Sequence, residues 1–292
     1  MPDTPIQQVS DTAFMVAHHR AVESARSDAL FRDPLASLLA GEAGRRMAEH
    51  MPTARMTGWV VAIRTVVIDA LLLEAIAAGV RLIVNLGAGL DTRPYRMQLP
   101  ADLLWIEVDQ AHVMAFKKEK LRAETPVCRV EQLAVDLADA TARRALLADL
   151  DSRQQRMLVL TEGVVLYLDV DQVGEFADDL RQLAHLDTWI VDYVSVQAAE
   201  YRRRAGADRA MRNTPFKFTP PDWHGFFAGH GWHARELRFL APAARKLGRT
   251  PPLPLFARVA IRVGRLLGGA KAANGFEKSM GYAVMERMPP SL

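Results

Sequence analysis

A strand, a glycine turn and a second strand ending in an acid constrain this chain more than any other feature. Leu82-Ile83-Val84-Asn85-Leu86 is apolar enough for a covered strand, Gly87-Ala88-Gly89 follows it, and Trp105-Ile106-Glu107-Val108-Asp109 closes the unit. Glycines let the backbone turn sharply and let a ligand approach it. An acid roughly 20 residues further on can accept hydrogen bonds from both hydroxyls of a ribose. The third glycine of a dinucleotide fingerprint is missing: counting from Gly87, Thr92 stands where close packing beneath a pyrophosphate calls for Gly or Ala. The pattern therefore favours a nucleoside that carries no phosphates.

The surrounding rhythm predicts the fold class. Residues 11–50 read as helices broken at Asp33-Pro34, because proline disfavours helix in the residue before it and suits the first turn of a new one. A long helix is expected over 57–78, ended by Gly79. Its charges Arg64, Asp69 and Glu74 are five residues apart, so at about 100° per residue they point in three directions rather than along one wet face. Apolar strands then alternate with amphipathic helices: strands at 81–86, 103–108, 129–135, 157–161 and 188–194 are separated by helical segments. Such alternation means a parallel sheet covered on both faces, with right-handed connections. After the fifth strand the order breaks into a charged helix (198–212), a proline-punctuated loop (214–221), a short helix (222–230) and a sixth strand (233–240). A proline-rich turn at 250–254, a further helix to about residue 267 and a last strand at 282–287 complete the expected order.

Composition narrows the class. Half of the 292 residues are hydrophobic, enough for a sizeable core, and nothing suggests disorder. The net charge of +3 raises nucleic acid as a partner, but the basic residues are scattered apart from Arg202-Arg203-Arg204, so none is expected. One cysteine, Cys128, excludes an internal disulfide and an all-cysteine metal site, and reads as core filler. The N-terminal residues lack a basic segment leading into an apolar stretch, so a cytoplasmic protein is expected. The most membrane-like stretch, 59–90, is interrupted by Arg64, Asp69, Glu74 and Arg81, so no membrane span is expected either.

Four motifs in order carry a resemblance: Val84-Asn85-Leu86-Gly87-Ala88-Gly89-Leu90-Asp91-Thr92-Arg93, then Glu107-Val108-Asp109, Val135-Asp136-Leu137, and Thr161-Glu162-Gly163-Val164-Val165-Leu166-Tyr167-Leu168. They resemble the successive motifs of the leucine carboxyl methyltransferase family, and more narrowly its bacterial branch of polyketide-type O-methyltransferases. The resemblance runs from about residue 16 to 167, and more loosely through 215–232 to the end. It implies an α/β fold: a Rossmann-like, seven-stranded methyltransferase sheet in a single domain. Within it stand an N-terminal helical part (1–79), a cofactor-binding core (80–197), an inserted lid (198–230), and closing strands with a helix (231–292). It implies S-adenosylmethionine, a common phosphate-free nucleoside cofactor, and a small-molecule acceptor.

Ligands of an open α/β sheet sit beyond the carboxyl ends of its strands. Asp109, directly after the second strand, is expected on the ribose, the bland alternative being a helix cap. Gly87 and Gly89 shape the turn, and Asp91 fits a cap and a ligand contact equally well. By resemblance Asp136 and Leu137 flank the adenine, Glu162 lies beside the methionine half of the cofactor, and Arg64 serves its carboxylate. Arg20, in a looser part of the match, is a further candidate there. For Arg64 an internal ion pair is the competing reading; its planar fork suits a carboxylate better than lysine would. Tyr167 is the candidate for orienting the acceptor, against a packed aromatic with a satisfied hydroxyl. Trp223, Phe226, Phe227 and Trp232 fit a small core or an acceptor wall. The histidines lack metal-ligand spacing, so no metal is expected.

The expected reaction is methyl transfer to a carboxylate of a small organic acid or polyketide-like metabolite. A carboxylate is ionised near neutral pH and needs no base, whereas a phenol does, and no motif residue is an obvious base. The competing readings are a phenol or hydroxyl acceptor on the same fold, an NAD(P)-dependent oxidoreductase, against which Thr92 argues, and a non-enzymatic interaction module, against which the intact glycine turn, Asp109 and Glu162 argue.

Overall fold

The computed structural model of the chain describes residues 11–206, 214–253, 275 and 277–289. Three helices come first: α1 (Thr12–Ser24), α2 (Ala36–His50) and α3 (Ala54–Ala77). Strands β1 (Leu82–Leu86), β2 (Leu104–Asp109), β3 (Arg129–Ala134), β4 (Met157–Thr161) and β5 (Leu186–Val194) then alternate with α4 (Arg93–Arg96), α5 (Ala111–Lys120), α6 (Ala140–Ser152) and α7 (Val170–Arg181). A 3-10 turn, Val165–Tyr167, interrupts the step from β4 to α7, and α8 (Val196–Arg204) follows β5. A short helix, Trp223–Gly229, leads into β6 (Trp232–Phe239), a second one, Leu240–Lys246, leaves it, and β7 (Met280–Arg287) closes the sheet.

The seven strands form one sheet in the order β3-β2-β1-β4-β5-β7-β6. The five strands of the alternating region are parallel, as the strand-helix rhythm predicts, and β7 runs antiparallel to both neighbours. β1 is an interior strand between β2 and β4, and all five of its residues are buried, which is why its sequence is apolar but for Asn85. One face packs on α6, α7 and the aromatic group Phe218, Trp223, Phe227 and Trp232. The other packs on α3 and the helix after β6, with Ile83, Leu158, Leu160, Ile190 and Val284 against Ile63, Ile68 and Leu72. Cys128 is buried in that second layer, as core filler.

The three charges of α3 do point to three surroundings. Arg64 reaches Glu162, Asp69 reaches Arg93 and Arg96, and Glu74 reaches Arg238 at the surface. The helix itself begins at Ala54, earlier than its apolar pattern suggests. The segment expected as a lid holds α8 and the helix Trp223–Gly229; residues 207–213 lie outside the described residues, as does the helix expected up to about residue 267. Trp223, Phe227 and Trp232 are core residues and Phe226 packs against them, so this aromatic group is structural. The short helix after β6 has no counterpart in the sequence reading, since seven residues carry too little periodicity to stand out. Among the described residues no helix is long and apolar enough to cross a membrane.

Candidate functional site

The carboxyl ends of β1 to β5 open into one cavity of about 700 Å³, walled by α1, the first half of α3, the 3-10 turn and the start of α8. Arg20, Arg64, Gly87, Gly89, Asp109, Asp136, Leu137, Glu162 and Tyr167 all line it, as does Asp91, whereas Trp223, Phe226, Phe227 and Trp232 are not among its lining residues.

The glycine turn is built as its composition requires. Gly87 and Gly89 have φ of +73° and +50°, a region costly for residues with a Cβ. The N–H groups of Gly87 and Ala88 both donate to the carbonyl of Val108, 2.8 and 3.0 Å away, which folds the turn onto the end of β2. A Cβ on Gly87 would stand 2.4 Å from Cγ2 of Val164, so the turn also needs the missing side chain for space.

Asp109 sits against this turn. Its Oδ2 accepts from the N–H of Gly89 at 2.6 Å and its Oδ1 from Gln110 at 2.7 Å. Neither bond caps α5 with the side chain, so the capping alternative does not describe it. Burial raises its pKa above the ordinary aspartate value, against the pull of the two backbone donors. A carboxylate offers about four acceptor sites. Two are in use, and two remain for hydroxyls.

Asp136 follows β3, with Oδ1 accepting from Ala138 at 3.0 Å; the cap of α6 is Asp139, which accepts from Thr141 and Ala142. Leu137 is partly buried against the core below. Together they present one acceptor and one apolar edge, the pair of contacts an adenine takes.

Glu162 is already engaged by two arginines: Oε1 lies 2.9 Å from Nε of Arg64, and Oε2 accepts from Nη1 of Arg93 at 2.8 Å. The Arg64 approach is close but not aligned, leaving its buried Nε without a hydrogen-bond partner. Burial opposes the charge of Arg64, yet Glu162 with Tyr282, Asp192 and Tyr167 raises its pKa. Arg64 thus combines an internal ion pair with a position on the cavity wall, so the two readings of it are compatible.

Arg20 is buried by α1 and α2, where Nε donates to Asp33 at 2.9 Å and Nη2 to the carbonyl of Leu90 at 2.5 Å. Those bonds tie the N-terminal helices to the glycine turn and leave it less to offer a ligand. Tyr167 is half-buried in the wall, edge-on to Phe216 with ring centroids 5.4 Å apart, and burial raises its hydroxyl pKa. Asp91 accepts from the N–H of Arg93, from Asn85 and from Arg93 Nη1, so it organises the turn from below.

Sequence reasoning missed four residues. Arg93, only 3% exposed, bridges Asp69, Asp91 and Glu162 at 2.7 to 2.8 Å. Arg96 extends the chain of charges to Asp69 at 2.7 Å. Burial disfavours the charge of Arg93, but the three carboxylates outweigh it and hold its pKa well above the ordinary value. Asp69 was visible as a charge flanked by apolar sequence and Arg93 as part of the glycine-turn motif, yet nothing local says that they meet. The other pair is Asp192 on β5 and Tyr282 on β7, register partners on neighbouring strands and both on the cavity wall. An acid following the apolar run Trp189-Ile190-Val191 near the end of β5 was the available signal for Asp192.

Residues 13–180 match the model of the family described as leucine carboxyl methyltransferase. A Frankia alni protein, provisionally named an S-adenosyl-L-methionine-dependent methyltransferase, is 33% identical over 245 residues, covering 80% of this chain and 85% of its own length. A Streptomyces avermitilis protein with the same provisional name is 34% identical over 268 residues, covering 82% and 89%. A solved DUF574 family protein from Streptomyces avermitilis has a TM-score of 0.59 at 16% identity, covering 95% of this chain and 97% of that one. A Thermobifida fusca protein provisionally named a methyltransferase has a TM-score of 0.55 at 16% identity, covering 85% and 90%. Identity that low speaks for the fold alone.

Proposed function

This chain belongs to the leucine carboxyl methyltransferase family and is an S-adenosylmethionine-dependent methyltransferase, and we propose that it transfers the methyl group to an oxygen of a small, largely apolar organic acceptor. The observation that carries the reading is the Gly89–Asp109 contact at the mouth of β1 and β2, which presents a partly buried carboxylate with spare acceptor sites beside a turn built on two positive-φ glycines. In this reading Asp109 holds the ribose, Asp136 and Leu137 the adenine, and Arg64 with Glu162 the amino-acid end. The buried Nε of Arg64, ion-paired with Glu162 but without an aligned hydrogen bond, is a donor that a well-oriented carboxylate would satisfy. Arg20 braces the wall through Asp33 and Leu90.

The bound cofactor supplies a methyl group on a cationic sulfur. The protein's own work is to align the two reactants and exclude water, for which the enclosing α1, α3 and α8 are suited. The expected preference for a carboxylate of a polyketide-like acid rests on the lack of a base among the motifs. A second reading, a hydroxyl acceptor, is favoured by Asp192, a buried carboxyl on the cavity wall that belongs to no motif.

The test is mass spectrometry of ligand released from the purified protein, with thermal shifts by S-adenosylhomocysteine and NAD⁺. Release of S-adenosylmethionine or S-adenosylhomocysteine and a shift by S-adenosylhomocysteine alone are expected. A shift by NAD⁺ alone would return the oxidoreductase reading.

A further inference from the structure

Four neighbouring strands present a polar residue, within or just past the strand, to the α3 side of the sheet near the cavity. Ile83, Leu160, Ile190 and Val284 pack against α3, so by the two-residue period of a strand Asn85, Asp192 and Tyr282 share that side, and Glu162, just past β4, reaches Arg64 of α3 there. Three of them are accounted for: Asn85 donates to Asp91, Glu162 lies between Arg64 and Arg93, and Tyr282 stands beside Asp192 as its register partner. Asp192 is different. It is 3% exposed, its Oδ2 accepts from the N–H of Gly163 at 2.8 Å, and it forms none of the ion pairs found within 4.0 Å among the described residues. Burying a carboxyl without a cation is costly, so its retention on a cavity wall calls for a use.

Strand order says what lies beside it. Asp109 ends β2 and Asp192 lies near the end of β5, three strand spacings away, or about 14 Å. The glycine turn of β1 and the Arg64–Glu162 pair after β4 stand between them, so the nucleoside and the amino-acid end would use up the span before β5. The rest of the lining combines apolar and aromatic side chains, Met56, Trp59, Tyr201, Phe216, Leu240 and Met280, with Arg202 and Lys217, Arg202 lying over the Phe216 ring.

We propose that Asp192, oriented by Tyr282, receives the proton of an aromatic hydroxyl acceptor, so that a hydroxyl and not a carboxylate is the group methylated. The inference rests on the methyltransferase reading and deepens it. The acceptor oxygen forms its bond to the methyl carbon as the carbon–sulfur bond breaks, with that electron pair going to sulfur. The hydroxyl proton passes to the Asp192 carboxylate and later to water, so the step balances without a further reactant. An acceptor carboxylate would instead meet a like charge at the same place. The groups that face Asp192 are Arg64 from α3, Glu162 and Gly163 after β4, Tyr167 from the 3-10 turn and Tyr282 from β7. Burial dominates and raises its pKa to about 6, with the Tyr282 hydroxyl and Arg64 pulling it down, so Asp192 is an ionised proton acceptor at neutral pH.

The experiment compares calorimetric affinities for S-adenosylmethionine and S-adenosylhomocysteine between pH 5 and 8, in the wild type, Asp192→Asn and Tyr282→Phe. A proton acceptor at the reacting oxygen also stands near the sulfonium charge. The preference for the charged cofactor is therefore expected to fall several-fold in Asp192→Asn above pH 6. Tyr282→Phe keeps the carboxyl but removes a donor, so the midpoint of that preference should move to higher pH, a shift that a purely structural role does not produce. With S-adenosylhomocysteine bound, 2-naphthol is expected to bind the wild type at least tenfold more tightly than 2-naphthoate at pH 8, and Asp192→Asn to lose this discrimination. An unchanged cofactor preference in Asp192→Asn, an unmoved midpoint in Tyr282→Phe, equal or better binding of 2-naphthoate, or no binding of either probe overturns the proposal. Absence of S-adenosylhomocysteine binding would instead strike the cofactor reading beneath it. If Asp192→Asn does not fold, the Tyr282→Phe midpoint and the probe pair on the wild type still decide.

Discussion

The N–H of Gly89 donates to Oδ2 of Asp109 at 2.6 Å, across 20 residues of sequence. The bond joins the two parts of the sequence that most constrain the fold, and it does so at the point where β1 and β2 release the chain toward the cavity. The acid is held by the turn it serves. Its burial and its two backbone donors set its orientation before any ligand arrives.

Arg64 tests the amino-acid end of the site. Arg64→Lys keeps the charge but loses the planar fork, so S-adenosylhomocysteine should bind about tenfold more weakly. 5′-Methylthioadenosine, which lacks the amino-acid arm, should bind as before. Calorimetry with both ligands decides: equal losses for the two would show that the variant disturbs the wall as a whole.

Arg93 is the centre of the charge network and should govern stability. Arg93→Met leaves Asp69, Asp91 and Glu162 without a shared partner, and breaking such a buried pairing typically costs about 3–5 kcal/mol. Urea unfolding followed by circular dichroism measures it. A loss under about 1 kcal/mol would mean that the carboxylates find other cations, Arg96 for Asp69 and Arg64 for Glu162.

Asp192 predicts a pH dependence of stability. Its folded pKa, raised to about 6 by burial, exceeds the unfolded value near 3.8, so the folded state holds this proton more tightly. Its stabilising contribution is present below the unfolded value and is lost as pH rises through about 6. At pH 7 Asp192→Asn should therefore be more stable than the wild type by on the order of 2–3 kcal/mol, with the difference vanishing toward pH 4. Denaturation curves at pH 4, 5, 6 and 7 read this directly, and a variant less stable at pH 7 would contradict the assigned burial.

The sheet was legible in the sequence because its strands are apolar runs separated by amphipathic helices, and the parallel order follows from that alone. The glycine turn and Asp109 were legible because one local unit contains both. Glu162 and Arg64 were legible as single residues but not as a pair, since 98 residues of chain separate what one contact joins. Arg93 stood inside a quoted motif without a role, because its value lies in three carboxylates from three different elements. Asp192 and Tyr282 meet only because β7 inserts antiparallel beside β5, a pairing that no spacing in the sequence announces. The aromatic group near Trp223 was ambiguous for a related reason, as side chains alone do not reveal which face of the sheet they will cover.

Gly87 separates a backbone requirement from a steric one. Gly87→Ala places a Cβ against Val164 and in a φ of +73°, so a loss of about 2–3 kcal/mol is expected. Adding Val164→Ala should restore the steric part and leave the backbone part of about 1–2 kcal/mol. Full recovery in the double variant would show that only the contact with Val164 matters.

The central claim is that Asp109 and the glycine turn hold the nucleoside of S-adenosylmethionine. Titration calorimetry of S-adenosylhomocysteine into the wild type and Asp109→Ala tests it most directly, with circular dichroism to verify the fold. One site per chain is expected in the wild type. The variant loses two charge-assisted hydrogen bonds of roughly 1.5–3 kcal/mol each, so its affinity should fall at least about a hundredfold. A folded Asp109→Ala protein that binds S-adenosylhomocysteine as tightly as the wild type would contradict the account.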